Sequence, residues 1–304
     1  MIYTCTLNPS IDYIMSVPKF ESGTLNRAHN TSFYPGGKGI NVSRVLRRLG
    51  VGTIALGFTG GFSGNFIKQF LSEERIEHRF IDTDKDTRIN VKLKSSDETE
   101  INGPGPELTT DQQEALLKQV DEMTNKDTLV LAGSVPSTLP PDFYMTIADI
   151  CAKNRTKFVA DTSGKALDGL IGKRIFLLKP NHHELGELFK TEIDSLEQTV
   201  HYGRKLFESG VEHVIVSMGG SGAIYIGENK TLHANVPEGV VKNSVGAGDS
   251  VVSGFLAGLT QGRSIEESFR FGVAAGSATA FQDDLCEEKH VSEVLENIEI
   301  SFIH

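Results

Sequence analysis

Short apolar runs alternate with amphipathic segments along this chain, and the alternation narrows the possible folds more than any other feature. It is the pattern of a mostly parallel sheet covered by helices on both faces. Strand candidates are Ile2 to Leu7, Thr53 to Gly57, Thr128 to Ala132, Phe158 to Asp161, Ile175 to Leu178 and His213 to Ser217. Between them lie helical segments at Asn41 to Leu49, Asn65 to Glu73, Thr110 to Met123, Pro141 to Lys153 and Leu196 to Ser209, with a run of helices from Ala247 to the end. The first helix places Val42, Val45, Leu46 and Leu49 on one face and stops at Gly50. Three segments break the alternation. Residues 12–18, 25–35 and 88–102 look like antiparallel strands, the last a hairpin turning near Ser95-Ser96-Asp97, and are expected to form a small sheet beside the main domain. No internal repeat, low-complexity tract or linker divides residues 1–304, so the chain reads as one α/β domain, a three-layer αβα sandwich with an added small sheet.

Polar and glycine residues cluster just after the strand candidates, at Asn8-Pro9, Gly133-Ser134, Asp161-Thr162, Lys179-Pro180-Asn181 and Ser217-Met218-Gly219-Gly220. Ligands in open α/β sheets bind at the carboxyl ends of strands, so this predicts one cleft along that edge. Two glycine-rich segments far apart in the chain, Gly36-Gly37-Lys38-Gly39-Ile40-Asn41 and Ser244-Val245-Gly246-Ala247-Gly248-Asp249-Ser250, suggest what the cleft does. The second opens a helix, so its first turn presents free backbone N–H groups beside Asp249. Phosphoryl transfer needs a carboxylate to take a hydroxyl proton and donors for the charge on the moving group; Asp249 and the turn Gly246, Ala247, Gly248 supply both. The plain alternative for Asp249 is a helix cap, a role compatible with catalysis. No GxxxxGK[ST] run exists, which excludes an ordinary P-loop.

Residues Arg88 to Leu93 alternate strictly, so on a strand Arg88, Asn90 and Lys92 share one face. Such a face is either solvated or clamps a sugar phosphate, with arginine suited to bidentate phosphate contact and Lys38 adding a point charge. Arg27 is a further candidate anchor. Gly36 and Gly37 would let backbone approach sugar hydroxyls, and Asp12 and Asn41 offer directional hydrogen bonds, although a tight turn and a surface acid are the plainer readings of these residues taken alone. Ser217 to Gly222 follows a buried strand and can place Ser217, Gly219 and Gly222 near nucleotide phosphates, or form a hairpin. A net charge of −10 argues against nucleic-acid partners. The three cysteines are widely spaced and imply neither disulfides nor zinc, and the sequence lacks a signal-peptide pattern or an eighteen-residue apolar stretch. A cytoplasmic enzyme without a membrane partner is expected.

The pair GGKGIN and SVGAGDS resembles the two signatures of the ribokinase-like sugar kinases, also called the phosphofructokinase-B family, and the similarity runs the length of the chain. Leu7-Asn8-Pro9 with Asp12, Asn26-Arg27, Tyr34-Pro35 and Thr87 to Lys92 look like the branch acting on monophosphorylated ketohexoses. The chain has Asn243-Ser244 where many relatives have Asp-Thr, a difference associated with that branch. The resemblance implies a ribokinase-like fold whose small sheet is a lid and often a homodimer contact. It implies MgATP-dependent phosphorylation of a phosphosugar, fructose 1-phosphate first and tagatose 6-phosphate as the rival. Lys179-Pro180-Asn181-His182-His183-Glu184 matches the family's Asn-x-x-Glu pattern, implying that Glu184 and Asn181 orient magnesium, with Lys179 and Ser244 on the nucleotide side. Adenine is implied near Gly272 to Phe281, including Ser277, a stretch whose small residues equally suit helix packing. Two other classes remain in view: a silent sensor of nucleotide or sugar phosphate, disfavoured by an intact Gly-Ala-Gly-Asp, and a dinucleotide-dependent dehydrogenase, disfavoured because the first strand ends in Asn8-Pro9 instead of GxGxxG.

Overall fold

A computed structural model describes residues 1–303. The strands are β1 (Ile2–Thr6), β2 (Ser10–Ser16), β3 (Asn30–Gly36), β4 (Thr53–Thr59), β5 (Glu77–His78), β6 (Ile81–Asp82), β7 (Arg88–Lys94), β8 (Glu98–Asn102), β9 (Thr128–Ala132), β10 (Lys157–Asp161), β11 (Ile175–Leu178), β12 (Val211–Ser217), β13 (Ala223–Ile226), β14 (Thr231–Ala234) and β15 (Ile300–Phe302). The helices are α1 (Lys38–Arg48), α2 (Gly61–Glu73), α3 (Thr110–Asp121), α4 (Phe143–Asn154), α5 (Gly164–Asp168), α6 (His182–Phe189), α7 (Leu196–Glu208), α8 (Ala247–Thr260), α9 (Ile265–Ala280) and α10 (Glu288–Leu295).

The main sheet runs β15-β14-β13-β12-β11-β10-β9-β1-β4-β5, with β6 also pairing with β4. Strands β1, β4 and β9 to β12 are parallel, whereas β12 to β15 pair antiparallel along one edge. Side chains alternate between two cores, as a strand covered on both faces requires. On β9, Val130 and Ala132 join the core under α1, α8, α9 and α10, while Leu129 and Leu131 join the core under α3, α4, α6 and α7. This is the three-layer αβα sandwich. The small-residue stretch after Gly272 serves packing: a Cβ on Gly254 of α8 would meet the Phe271 carbonyl at 2.7 Å and the Gly272 Cα at 2.8 Å.

The second sheet has the order β3-β2-β7-β8. Its strands begin earlier or later than the sequence pattern suggests, at Ser10 and Asn30, and β2 pairs with β7 in parallel, correcting the all-antiparallel expectation. The reason is connectivity: after β3 the chain crosses the main sheet through α1, β4 and α2 and returns in the direction of β2. The chain does not stay helical after α10 either. Ile300–Phe302 adds β15 to the edge, a segment too short to show a period of two. A third cluster, Ile11, Ile40, Ile67 and Leu71 with Phe66 and Ile89 packed against it, seats the small sheet on α1 and α2.

Candidate active site

The carboxyl ends of β1, β10, β11 and β12, the starts of α1 and α8, and the near edge of the small sheet enclose a cleft of about 530 Å³. Both glycine-rich segments enter it as helix N-termini. Gly37 is the N-cap of α1 at φ 120° and Gly246 the N-cap of α8 at φ 80°, backbone that glycine adopts readily and that neither cap completes with a side-chain bond. Of their first-turn N–H groups, that of Ile40 is taken by Thr6 Oγ1 at 3.0 Å and that of Ala247 by the Ser244 carbonyl at 3.3 Å, while Gly37, Gly246 and Gly248 line the cleft.

Asp249 lies in the first turn of α8 and is buried, and Asn41 from α1 donates through Nδ2 to its Oδ2 at 2.8 Å. Burial and then the charge of Asp161 push the Asp249 carboxyl up to about 6, against the pull of Lys38, the Asn41 bond and Lys179. Asp161 ends β10 with its side chain 1% exposed, 3.0 Å from Lys38 Nζ and 3.3 Å from Lys179 Nζ. Burial favours its neutral form, but Lys179 and Lys38 outweigh that and hold it below the usual aspartate range. Burial likewise pulls Lys38 down, and Asp161 and Asp249 more than restore it, leaving it above the ordinary lysine range.

The opposite wall comes from the polar face of the small sheet. Asn90 Nδ2 donates to Ser10 Oγ at 3.0 Å and to Asp12 Oδ1 at 3.1 Å, and Ser10 Oγ donates to Asp12 Oδ1 at 2.8 Å. Gly36 packs on this group so closely that a Cβ there would overlap Ser10 Oγ and the Asp12 carboxylate. Arg88 donates to the Asn8 carbonyl at 3.1 Å and forms no ion pair among the described residues. Burial lowers its pKa, with Asp12 acting the other way. A half-buried guanidinium without its own carboxylate is a place prepared for an anion.

Toward β11 and β12, Asn181 caps α6, accepting the Glu184 N–H at 2.8 Å while Glu184 Oε2 accepts the Asn181 N–H at 2.8 Å. This reciprocal capping box fixes the Asn-x-x-Glu pair. It leaves the other Glu184 oxygen without a donor among the described residues, and both side chains face the cleft with Ser217 and Ser244.

The structure thus brings Asp12, Gly37, Lys38, Asn41, Arg88, Asn90, Lys179, Asn181, Glu184, Ser217, Ser244, Gly246, Gly248 and Asp249 around one space. Lys92 sits beside it in a smaller crevice, 3.7 Å from Asp12 and 3.4 Å from Glu100. Ala247 belongs to the same turn through its backbone. Four candidates lie elsewhere. Arg27 is exposed in the connection between β2 and β3; Gly219 and Gly222 form the turn joining β12 to antiparallel β13, where a Gly222 Cβ would strike the Ala234 carbonyl; Ser277 is buried in α9. Asp161, Asn8 and Ser134 also line the cleft and were legible only as polar residues at strand ends; Ser10, the first residue of β2, lines it too and carried no signal in the sequence. Asp161 had one sharper signal, a carboxylate closing the buried run Phe158-Val159-Ala160.

Comparison with known proteins agrees with this geometry. Residues 5–289 match the pfkB family of carbohydrate kinases. The chain is 53% identical over 301 residues to 1-phosphofructokinase of Bacillus subtilis, covering 99% of each chain. It is 34% identical over 304 residues to D-tagatose-1-phosphate kinase of Bacillus licheniformis, covering 100% of each, and 33% identical over 288 residues to tagatose-6-phosphate kinase of Staphylococcus epidermidis, covering 93% of each. Among solved structures, phosphofructokinase-2 from Escherichia coli in complex with fructose-6-phosphate superposes with a TM-score of 0.91 at 28% identity, covering 97% of this chain and 98% of that one.

Proposed function

The chain belongs to the pfkB family of carbohydrate kinases, and from that premise we propose that it phosphorylates fructose 1-phosphate with ATP, giving fructose 1,6-bisphosphate and ADP. One observation carries the reading to a phosphorylated sugar: Arg88, half-buried and without a carboxylate of its own, shares a cleft with the buried carboxylate of Asp249. In this assignment Arg88, with Lys92 in the adjoining crevice, holds the phosphate already on the sugar. Asp12, Asn90, Asn41 and the backbone at Gly36-Gly37 hold its hydroxyls. The free primary hydroxyl then donates its proton to Asp249, the oxygen attacks the terminal phosphorus of ATP, and the bond to the bridging oxygen of ADP breaks. Backbone N–H groups of Gly246 to Gly248 receive the charge on the transferring group.

Magnesium fits the residues present. Among the described residues no group of three or more His, Cys, Asp or Glu side chains is placed to hold a metal, and a hard cation held mainly by phosphates and waters needs few protein oxygens. The unshared Glu184 oxygen and Asn181 would orient it, and when bound it would neutralise charge on the phosphates. Lys179, Ser217 and Ser244 would face the nucleotide.

The small sheet is read as a lid within a single 1–304 kinase domain, closing over the sugar and excluding water. Its other face supports a homodimer. Register places Phe33, Tyr13, Val91 and Ile101 in one row across the strands, with Phe33 48% and Ile101 60% exposed. A second copy of the same face would bury that row. In sedimentation, Phe33→Glu is expected to shift a dimer to monomer; an unshifted dimer would place the contact elsewhere.

Tagatose 6-phosphate is the second reading, since tagatose-6-phosphate kinase of Staphylococcus epidermidis is 33% identical over 288 residues. ADP release with MgATP and fructose 1-phosphate, fructose 6-phosphate, tagatose 1-phosphate, tagatose 6-phosphate and fructose tests both. The highest kcat/KM is expected on fructose 1-phosphate; preference for tagatose 6-phosphate would reassign the substrate but keep the mechanism, and turnover of none would return the sensor reading.

A further inference from the structure

We propose that Asp161 is a positioning residue that holds Lys38 and Lys179 in fixed places beside the path of the transferring phosphoryl group. The inference deepens the kinase reading and rests on Asp249 as the base. Asp161 closes β10, a central strand, and its two oxygens are divided between the two ammonium groups at 3.0 Å and 3.3 Å. Lys38 is the first residue of α1, directly after Gly36-Gly37 at the sugar end; Lys179 follows β11 and faces the anion-binding turn. Gly248 leaves room for that ammonium, since a Cβ there would lie 3.0 Å from Lys179 Nζ. Neither lysine has another carboxylate within ion-pair distance among the described residues. One carboxylate thus spans from one glycine-rich segment to the other.

The arrangement has a physical purpose. Lysine is a point charge on a flexible stem, so its place must be set from outside. A single anion shared by two cations fixes both while leaving one net positive charge, which suits a group whose negative charge moves across the cleft. Asp249 feels the same set: Asp161 from β10 opposes its ionisation, while Lys38 and Asn41 from α1 and Lys179 after β11 favour it.

The test is Asp161→Asn assayed with MgATP and fructose 1-phosphate across pH. Displacing the lysines is expected to lower kcat about 10²-fold. With the opposing carboxylate removed, Asp249 faces two uncompensated ammonium groups, so the acid limb of kcat should move to lower pH. The limb of kcat is read because it reports groups in the bound complex and not the ionisation of free substrates. A merely structural aspartate would lower stability and leave the limb in place, and that result overturns the proposal. Asp161→Glu keeps the charge but lengthens the arm: the limb should stay at the parental pH while kcat falls, and full kcat in this variant overturns the proposal even if the amide variant does not fold. Asp249→Asn in the same assay separates the two readings. If it turns over normally the base assignment fails, and the proposal with it; if it is silent while the Asp161→Asn limb does not move, the positioning role alone fails.

Discussion

Replacing Asp249 by asparagine should silence the enzyme and stabilise the fold at the same time. The carboxyl is buried at 4% exposure, and its pKa is pushed up to about 6 from the ordinary aspartate value of 3.8, burial being the first cause and Asp161 the second. Below about pH 4 it is protonated in both the folded and unfolded chain and has no effect. Between about pH 4 and 6 the folded chain keeps a proton that the unfolded chain has released, so stability falls as pH rises. Above pH 6 the full penalty is present. A gap of roughly two pH units corresponds to about 3 kcal/mol. The amide variant carries no such penalty, and its side-chain oxygen can still accept from Asn41. Thermal unfolding at pH 8 should therefore show Tm about 5 °C above the parent, the difference shrinking toward zero near pH 4. Turnover in the same preparation should fall about 10² to 10⁴-fold, since an amide cannot take the proton. A variant no more stable than the parent at pH 8, or one that retains turnover, would refute the argument that this buried group is kept for its basicity.

Arg88→Gln removes the unpaired cation from the sugar-phosphate end; kcat/KM for fructose 1-phosphate should fall about 10 to 10²-fold in a steady-state assay, mostly through KM. Gly246→Ala places a side chain at φ 80° against Leu285; unfolding in urea should show a loss of about 1–3 kcal/mol, and kcat should fall as the anion-binding turn shifts. Glu74→Gln unbalances a partly buried ion cluster in which Glu74 and Asp284 together neutralise Arg44, 1% exposed, and Arg48; a loss of about 1–3 kcal/mol is expected, read as a lower urea midpoint with kcat little changed.

The catalytic turn was legible before the fold because its chemistry is local. Gly-Ala-Gly-Asp ahead of a helical repeat specifies donors and a carboxylate within one turn, whatever surrounds them. The polar face of Arg88, Asn90 and Lys92 was legible for the same reason, a period of two being a property of the strand itself. Harder to read were Ala223–Ile226, Thr231–Ala234 and Ile300–Phe302, strands of three or four residues toward one end of the main sheet in which no period has room to repeat. Gly219 and Gly222 could be phosphate-facing or turn residues by sequence, and only the antiparallel pairing of β12 with β13 shows that they lie in the turn between these strands.

By itself the sequence determined an α/β sandwich with its cleft at the strand ends, and which two glycine segments enter that cleft. The tertiary structure alone decided which charges face one another. Asp161 is separated by 123 residues from Lys38, and Asn41 by 208 from Asp249. Such partners meet because β10 lies beside β11 and two strands from β1, and because α1 packs along α8. Sheet order and helix packing therefore set the electrostatics of the base, which no window of local sequence contains.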